Sequence, residues 1–453
     1  MNIKQILVPI IVGTIATTLC FSFGFFTDLY EYGINFFYIY IIFTLLLCYP
    51  MNIIALYINN NHCDANTHCK LSKTLLGTSE LKMFCMLFVW VIIVITSFAI
   101  LNISEASINI LENAISLHKP NNNLLNLSFV SVIYVVTTMV FLMTLVVYVL
   151  NSKSKLLFSR IIKLGSYLIL FLIILFMLFA IYSNTSTIGI NSFLLSSGSV
   201  VPNYSSMISA SFLYAILSGF VSLTFYTNIL GGLKYDITKI RGLSFSGIIV
   251  NIILTSVICI AIYSALASLN ISSKIVPDMT TANILSILGD KSFITYSLFT
   301  TMFIVMNIVI LTAGIKYTSQ LRESMFAKMI FLLAPFLVTL FFIQYNVLSI
   351  VYSDIAALKL MITLVFLIDL FIIGWLYDAQ KMNYEILKHT DIKLPLIFNI
   401  MIRIIMPFMC FYITILYIFE LPIFWQTIAS ICCMIVYITL GVVFYKVFNK
   451  RKY

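Results

Sequence analysis

"KMNYEILKHTDIKLP", Lys381 to Pro395, places three lysines, two acids and a histidine in a short stretch between two of the most apolar runs of the chain. A segment so rich in charge belongs at the edge of a membrane, so the runs that flank it, 355 to 377 and 397 to 419, read as two helices joined on one side of a bilayer. Each meets the requirement of about 20 apolar residues for a crossing. Working outward, the same grammar recurs at 6 to 26, 34 to 57, 83 to 111, 128 to 150, 161 to 183, 208 to 230, 245 to 269, 294 to 315, 328 to 349 and 423 to 447, giving twelve expected spans. The runs are continuous rather than alternating, which predicts helices and not a β-barrel.

Composition agrees. The 453 residues are 62% hydrophobic and 9% charged, against roughly 25% charged in soluble domains, and the mean hydropathy is +1.08. A net charge of +10 would suit nucleic acid if the basic residues clustered on a soluble face. Instead 22 of the 26 Lys and Arg fall on one side of the expected topology, leaving only Lys119, Lys274, Lys291 and Lys359 on the other. The positive-inside rule makes the rich side cytoplasmic and puts both termini there. The polar insert 381–395 lies on that side too. The first run is followed by "FTDLYEYG" and not by small residues of a cleavage site, so it is expected to be a span and not a signal peptide.

Chemistry-bearing motifs are few. The nine cysteines form no disulfide framework, most lying within spans. "HCDANTHC" gathers His62, Cys63, His68 and Cys69 in one turn, residue types that suit zinc but at a spacing of no standard finger, so an incidental polar loop is the alternative. No phosphate-binding loop, dinucleotide fingerprint or hydrolase motif occurs, and the four histidines all lie in expected loops. No enzyme, no resident cofactor and no nucleic-acid partner is expected; the partners implied are a lipid bilayer and a small solute, and oligomeric state is left open.

The stretch from Asp369 to Pro407, "DLFIIGWLYDAQKMNYEILKHTDIKLPLIFNIMIRIIMP", combines an intramembrane acid, a Trp, an Ala-x-Lys, a Glu-Ile, an Ile-Lys-x-Pro and an Arg four residues before a Pro. It resembles the tenth and eleventh helices of the neurotransmitter:sodium symporter family, as a divergent bacterial-type member. "YGINFFYIYIIFTLLLCYP", with Gly33, Phe36 and Pro50, is similar to that family's second helix, and Gly219, Phe220 and Tyr226 are similar to its sixth. The resemblance implies a leucine-transporter-like fold: one domain of twelve helices, a 5+5 inverted repeat (about 6–183 and 208–377) followed by helices 11 and 12 at 397–447, with helices 1 and 6 broken at the midplane.

Physical reasoning reaches a similar site. A five-helix unit repeated within one chain must enter the membrane upside down the second time, and such repeats bind solute where the first helix of each is broken. The corresponding stretches are "VGTIATTLC", 12–20, and "AILSGFVS", 215–222, with breaks expected at 15–20 and 217–221. Ordinary small-residue helix contacts are the other reading of Gly13, Thr17, Thr18 and Gly219. Freed carbonyls would hold a cation and helix N-termini an anion, which suits an amino acid or similar small zwitterion. The expected substrate residues are Ala16, Thr17, Thr18, Tyr214, Leu217, Ser218 and Phe220, with Leu101 added as what the resemblance implies, the two aromatics serving either as substrate walls or as core.

The resemblance implies sodium symport, yet its ion-site side chains are eroded. Thr17 and Leu19 stand for glycines of the family's first-helix break, Cys20 for its sodium-binding asparagine, Leu101 for its substrate-binding tyrosine and Phe23 for its outer-gate arginine, whose acidic partner would be Asp354. In "MNIVIL" of helix eight only Asn307 is polar. What remains for sodium is the backbone of Gly13, Ile15 and Ala16, the Cys20 position, and Asn251, which resembles a coordinating asparagine of helix seven. Lys163 either substitutes its ammonium for the ion or snorkels to the interface. Asp369, deep in helix ten, and Glu105 in helix three are proton-handling or structural. Three functions therefore stay open: a sodium symporter, a sodium-independent relative driven by protons or by none, and a transport-incompetent sensor or structural partner.

Overall fold

The computed structural model describes residues 3–61, 82–118, 129–154, 157–182, 186–195, 204–219, 236–268, 293–320, 325–344, 355–390, 395–421 and 423–450. Among them all regular structure is helical. Asp354, Phe220 and the "HCDANTHC" loop, all singled out above, lie outside the described residues.

Helix α1 is Ile3–Ser22 and α2 is Phe25–Tyr32. Then come α3, Ile34–Asn61, with a π turn at Thr44–Cys48; α4, Lys82–His118; α5, Phe129–Ser154; α6, Leu157–Tyr182; and the short α7, Ser186–Leu194. The second half continues with α8, Tyr204–Gly219; α9, Ile240–Ser268; α10, Phe293–Ser319; α11, Met325–Gln344; α12, Ile355–Phe371, prolonged by a π turn to Asp378; and α13, Ala379–Thr390. The chain ends in α14, Leu396–Phe419, and α15, Ile423–Lys450.

Nine helices among the described residues are long and apolar enough to cross a membrane, and the bent pair α1–α2 makes up to ten. The expected spans 208–230 and 328–349 show shorter apolar helices, Tyr204–Ser218 and Ile330–Phe341. The protein is thus an all-helical integral membrane protein. Its interior is built by the 359–388 segment and by α4, whose most apolar windows are 83% and 78% buried, while α5, at 11%, stands at the rim. Rim side chains such as Met143, Leu164 and Phe408 are more than half exposed, a surface suited to lipid and not to water.

The described part of the opening insert, 381–390, belongs to α13. Its Ala379, Met382 and Ile386 are buried while Tyr384 is exposed, a period of three to four that lays one face on the bundle. The insert is polar because its other face is not covered. Glu385 accepts hydrogen bonds from Tyr57 of α3 and Tyr377, and Lys381 Nζ lies 4.8 Å above the Tyr377 ring. The turn before it is made by Asp378, the one non-glycine among the described residues with positive φ (86°). Its Oδ1 accepts the backbone N–H of Gln380 at 2.8 Å and pairs with Arg403 of α14. Arg403 Nε donates to the Gly374 carbonyl at 3.0 Å and Trp375 Nε1 donates to the Arg403 carbonyl at 3.1 Å. A Cβ on Gly374 would come within 3.2 Å of Ile402. The Gly-Trp, Asp and Arg of this motif therefore lock α12 to α14, and their wording is structural.

Candidate functional site

The first span is bent by 67° between α1 and α2, but not where the sequence suggested. The expected interruption at 15–20 is helix; the break falls at Phe23–Gly24. Phe23 N–H bonds the Cys20 carbonyl (3.2 Å) and Gly24 N–H the Phe21 carbonyl (3.3 Å), so α1 closes on a tightened turn. Gly24 then sits at φ 86°, a conformation that side-chain-bearing residues adopt at a cost of about 1–2 kcal/mol. Its carbonyl accepts from Thr27 N–H at 2.9 Å and starts α2. "FTDLYEYG", which follows the first apolar run, is mostly this helix, and Gly33 (φ 75°) ends it. The other expected interruption, 217–221, is helical through Gly219, and the residues beyond lie outside the described ones.

Polar groups from three other helices meet this elbow. Asn102 Nδ2 of α4 donates to the Ser22 carbonyl (3.2 Å) and to Asn307 Oδ1 of α10 (3.1 Å). The Tyr214 hydroxyl of α8 lies within donor distance of the Phe23 carbonyl (3.0 Å) and of Asp28 Oδ2 (2.7 Å). Ser22 Oγ and Thr27 Oγ1 are buried without a hydrogen-bond partner, which is uncommon, since a buried polar group left unpaired costs about 1–3 kcal/mol. Phe25 walls the elbow, its ring centroid 5.1 Å from that of Tyr214 and 4.8 Å from that of Tyr40. Tyr214 lies ten residues into α8, about 15 Å along its axis.

Toward the start of α1 from the elbow is a second, closed network. Thr17 Oγ1 reaches Asn251 Oδ1 at 2.9 Å and the Gly13 carbonyl at 3.0 Å. Thr255 donates to the same Oδ1 at 3.3 Å, and Asn251 Nδ2 donates to Tyr40 at 2.9 Å. Cys20 contacts Tyr40 and the Tyr214 carbonyl, at 3.7 and 3.5 Å. Ser218 bonds the Ala215 carbonyl at 2.9 Å and lies 3.4 Å from Cys48.

The expected site residues divide accordingly. Thr17, Cys20 and Asn251 do converge, with Tyr214 and Ser218 close by. Gly13 is a point of close contact: a Cβ there would stand 2.5 Å from Val250 and 2.8 Å from the Asn251 backbone nitrogen. Ile15 and Ala16 are buried within continuous α1, where carbonyls serve the helix ladder. Thr18 bonds back to the Thr14 carbonyl at 2.7 Å, and Leu217 is core. Leu101 belongs to a separate apolar cluster with Ile108, Ile133 and Ile343; its neighbour Asn102 is the residue that reaches the elbow. Glu105 is half-buried in α4 and Asp369 fully buried in α12, while Lys163 is half-buried near the start of α6.

Asp28, Ser22, Thr27, Asn102 and Tyr40 were missed. Asn102 alone carried a signal, an amide within an apolar span. Among the described residues no group of three or more His, Cys, Asp or Glu forms a metal cluster. What the elbow offers is oxygen: a carboxylate, hydroxyls and helix-end carbonyls.

No family model and no curated protein matches this chain.

Proposed function

We propose that the protein is a secondary active transporter, a sodium-coupled symporter of an amino acid or similar small zwitterion, in a bacterial plasma membrane with both termini cytoplasmic. The observation that carries this reading is the break of the first span inside the bundle, with buried polar groups from α4, α8 and α10 converging on it. Irregular backbone at membrane depth is tolerated only where it is buried in protein or lines a cavity, and in transporters such breaks hold the solute.

The pairing of helices supports a twelve-span inverted repeat. α1 packs on α9 as α8 packs on α3; α1 meets α8; and α4 meets α10. Exchanging the first five spans for the second five maps each of these contacts onto another or onto itself. The uneven distribution of basic residues supports the orientation. A cysteine placed beside Tyr453 that reacts with an impermeant thiol reagent from outside the cell would refute it.

A specific observation favours a sodium-independent variant of the same reading. Asn251 Oδ1 accepts from Thr255, and the single hydroxyl hydrogen of Thr17 lies within reach of both that oxygen and the Gly13 carbonyl, so hydroxyls of the protein itself compete for two of the expected ion ligands. Asp369 and Glu105 are then the proton-handling groups of a proton-coupled cycle, with facilitative transport as the uncoupled case. Uptake of a mixed amino-acid pool into proteoliposomes separates the readings. Stimulation by a sodium gradient supports symport and stimulation by a proton gradient the variant. No uptake under any gradient overturns transport in favour of a sensor or structural protein.

A further inference from the structure

Away from the elbow, the bundle is open between α5, α6 and α10. A cavity of about 330 Å³ lies there, walled by Met143 and Val147 of α5, Phe158 and Ile161 of α6, and Leu311 and Ile315 of α10. The polar side chains of its lining, Thr144 and Thr312, spend their hydroxyls on the carbonyls of Phe141 (2.6 Å) and Ile308 (2.7 Å) in their own helices, so the wall is left wholly apolar. Val136 and Val147 mark its extent along α5, eleven residues or about 16 Å at 1.5 Å per residue, close to one leaflet of a hydrocarbon core about 30 Å thick. Met139 and Met143 stand 59% and 71% exposed at its outer lip, so the groove opens sideways onto lipid.

One end of this groove is basic. Lys316 follows Ile315 on α10, and its Nζ donates at 3.2 Å to the hydroxyl of Ser159, the neighbour of Phe158. The like charge of Lys163, half-buried on α6, bears on Lys316. Arg160 is exposed and heads the stripe of Leu164, Leu168 and Phe171 that α6 turns to lipid. Among the described residues neither Arg160 nor Lys163 pairs with an acid. The sequence explains why: no Asp or Glu occurs between Glu112 and Asp236, α10 has none, and the next acid after Lys316, Glu323, lies outside the described residues. Like charges gathered in this way repel one another, and an anion placed among them relieves the repulsion. A leaflet-long apolar groove that ends at cations matches hydrocarbon joined to a phosphate. A zwitterionic lipid has the same chain but brings an ammonium of its own to these cations.

We propose that the groove between α5, α6 and α10 binds an anionic phospholipid of the surrounding bilayer, with one acyl chain in the cavity and the phosphate on Arg160, Lys163 and Lys316. The guanidinium takes phosphate through paired hydrogen bonds and the ammoniums act as point charges. The lipid ties α5, whose apolar window is the least buried among the described spans at 11%, to α6 and α10. The site does not depend on the transporter reading.

The test is selective retention of lipid by the full chain. Delipidated protein in neutral detergent is titrated with phosphatidylglycerol and with phosphatidylethanolamine of the same acyl chains, and bound lipid is counted by native mass spectrometry. The first phosphatidylglycerol should bind at least about tenfold more tightly, since each basic side chain beside an anionic lipid contributes roughly fivefold. That preference should be lost in the Arg160→Gln, Lys163→Gln double variant and persist in Lys239→Gln, Arg241→Gln, which removes the same charge beside the start of α9. Arg160→Gln alone, at an exposed position, should lower the preference about fivefold and carries the test if the double variant does not fold. Met143→Trp, which sets an indole in the mouth of the cavity without disturbing a buried side chain, should weaken both lipids several-fold. Glycerophosphoglycerol, the headgroup without chains, should not displace the lipid at equal concentration. Equal retention of the two lipids, a preference that survives loss of Arg160 and Lys163 or falls equally in the α9 control, unchanged binding in Met143→Trp, or displacement by the headgroup alone overturns the proposal.

Discussion

Replacing Gly13 by alanine should loosen the whole seam between α1 and α9. The added Cβ would lie 2.5 Å from Val250 Cγ1, 2.7 Å from Val250 Cβ and 2.8 Å from the Asn251 backbone nitrogen, about 1 Å inside a normal contact of about 3.5–4.0 Å. Neither neighbour can turn away: a valine in a helix has one strongly preferred rotamer, and a backbone nitrogen moves only with its helix. The seam is reciprocal, since a Cβ on Gly247 would stand 2.8 Å from Val12. The helices must therefore part, at an overpacking cost near the upper end of about 1–3 kcal/mol, offset by about 1 kcal/mol of helix propensity. A net loss of about 2 kcal/mol follows. Gly441→Ala is the control, because nothing lies within 4 Å of its Cβ; it should gain up to about 1 kcal/mol. Thermal unfolding in detergent, followed by size-exclusion of the surviving protein, should place the melting point of Gly13→Ala a few degrees below that of Gly441→Ala. Equal melting points would refute the reasoning.

Three further outcomes are expected. Asn251→Leu removes bonds to Thr17, Thr255 and Tyr40; at about 0.6 kcal/mol for an interhelical bond in a membrane it should lose about 1–2 kcal/mol in detergent unfolding, and a variant as stable as the parent would show that the network contributes nothing. Asp378→Ala keeps the positive φ without its ion pair, whereas Asp378→Gly tolerates that φ, so the alanine variant should be less stable by about 1 kcal/mol; equal stability would argue against a left-handed turn there. Asp369→Asn preserves shape at a fully buried position: a proton-handling role calls for normal expression with uptake down at least tenfold or insensitive to pH, and unchanged uptake with an unchanged pH profile would remove that role.

What the sequence revealed, it revealed through long-range averages. A run of about 20 apolar residues is a helix because no other backbone arrangement satisfies its own polar groups in lipid, and the composition of 355–377 or 423–447 leaves no competing solution. In the Asp369–Pro407 stretch the sequence offered only a resemblance; that Trp375, Asp378 and Arg403 bond across two helices is added by the structure.

The break in the first span was not legible, because a glycine has two uses in a membrane helix that look alike in sequence. Gly13 sits among hydroxyl residues and invites an interruption, yet it is there because Val250 and the backbone of α9 press against it. Gly24, among phenylalanines at what reads as the end of a span, is the one whose φ of 86° turns the chain. Only the neighbour distinguishes close approach from left-handed backbone, and the neighbour of Gly13 is some 240 positions away in sequence. A helix also rotates about 100° per residue, so an error of one residue in register changes the face: Leu101 packs among Ile108, Ile133 and Ile343, whereas Asn102 reaches Ser22 and Asn307. Span-level patterns tolerate such an error; a binding site, made of single side chains on single faces, does not. The break of the first span thus falls not at 15–20 but at Phe23–Gly24, at the edge of the expected span 6–26, where a change of backbone direction and the end of a span look alike in composition.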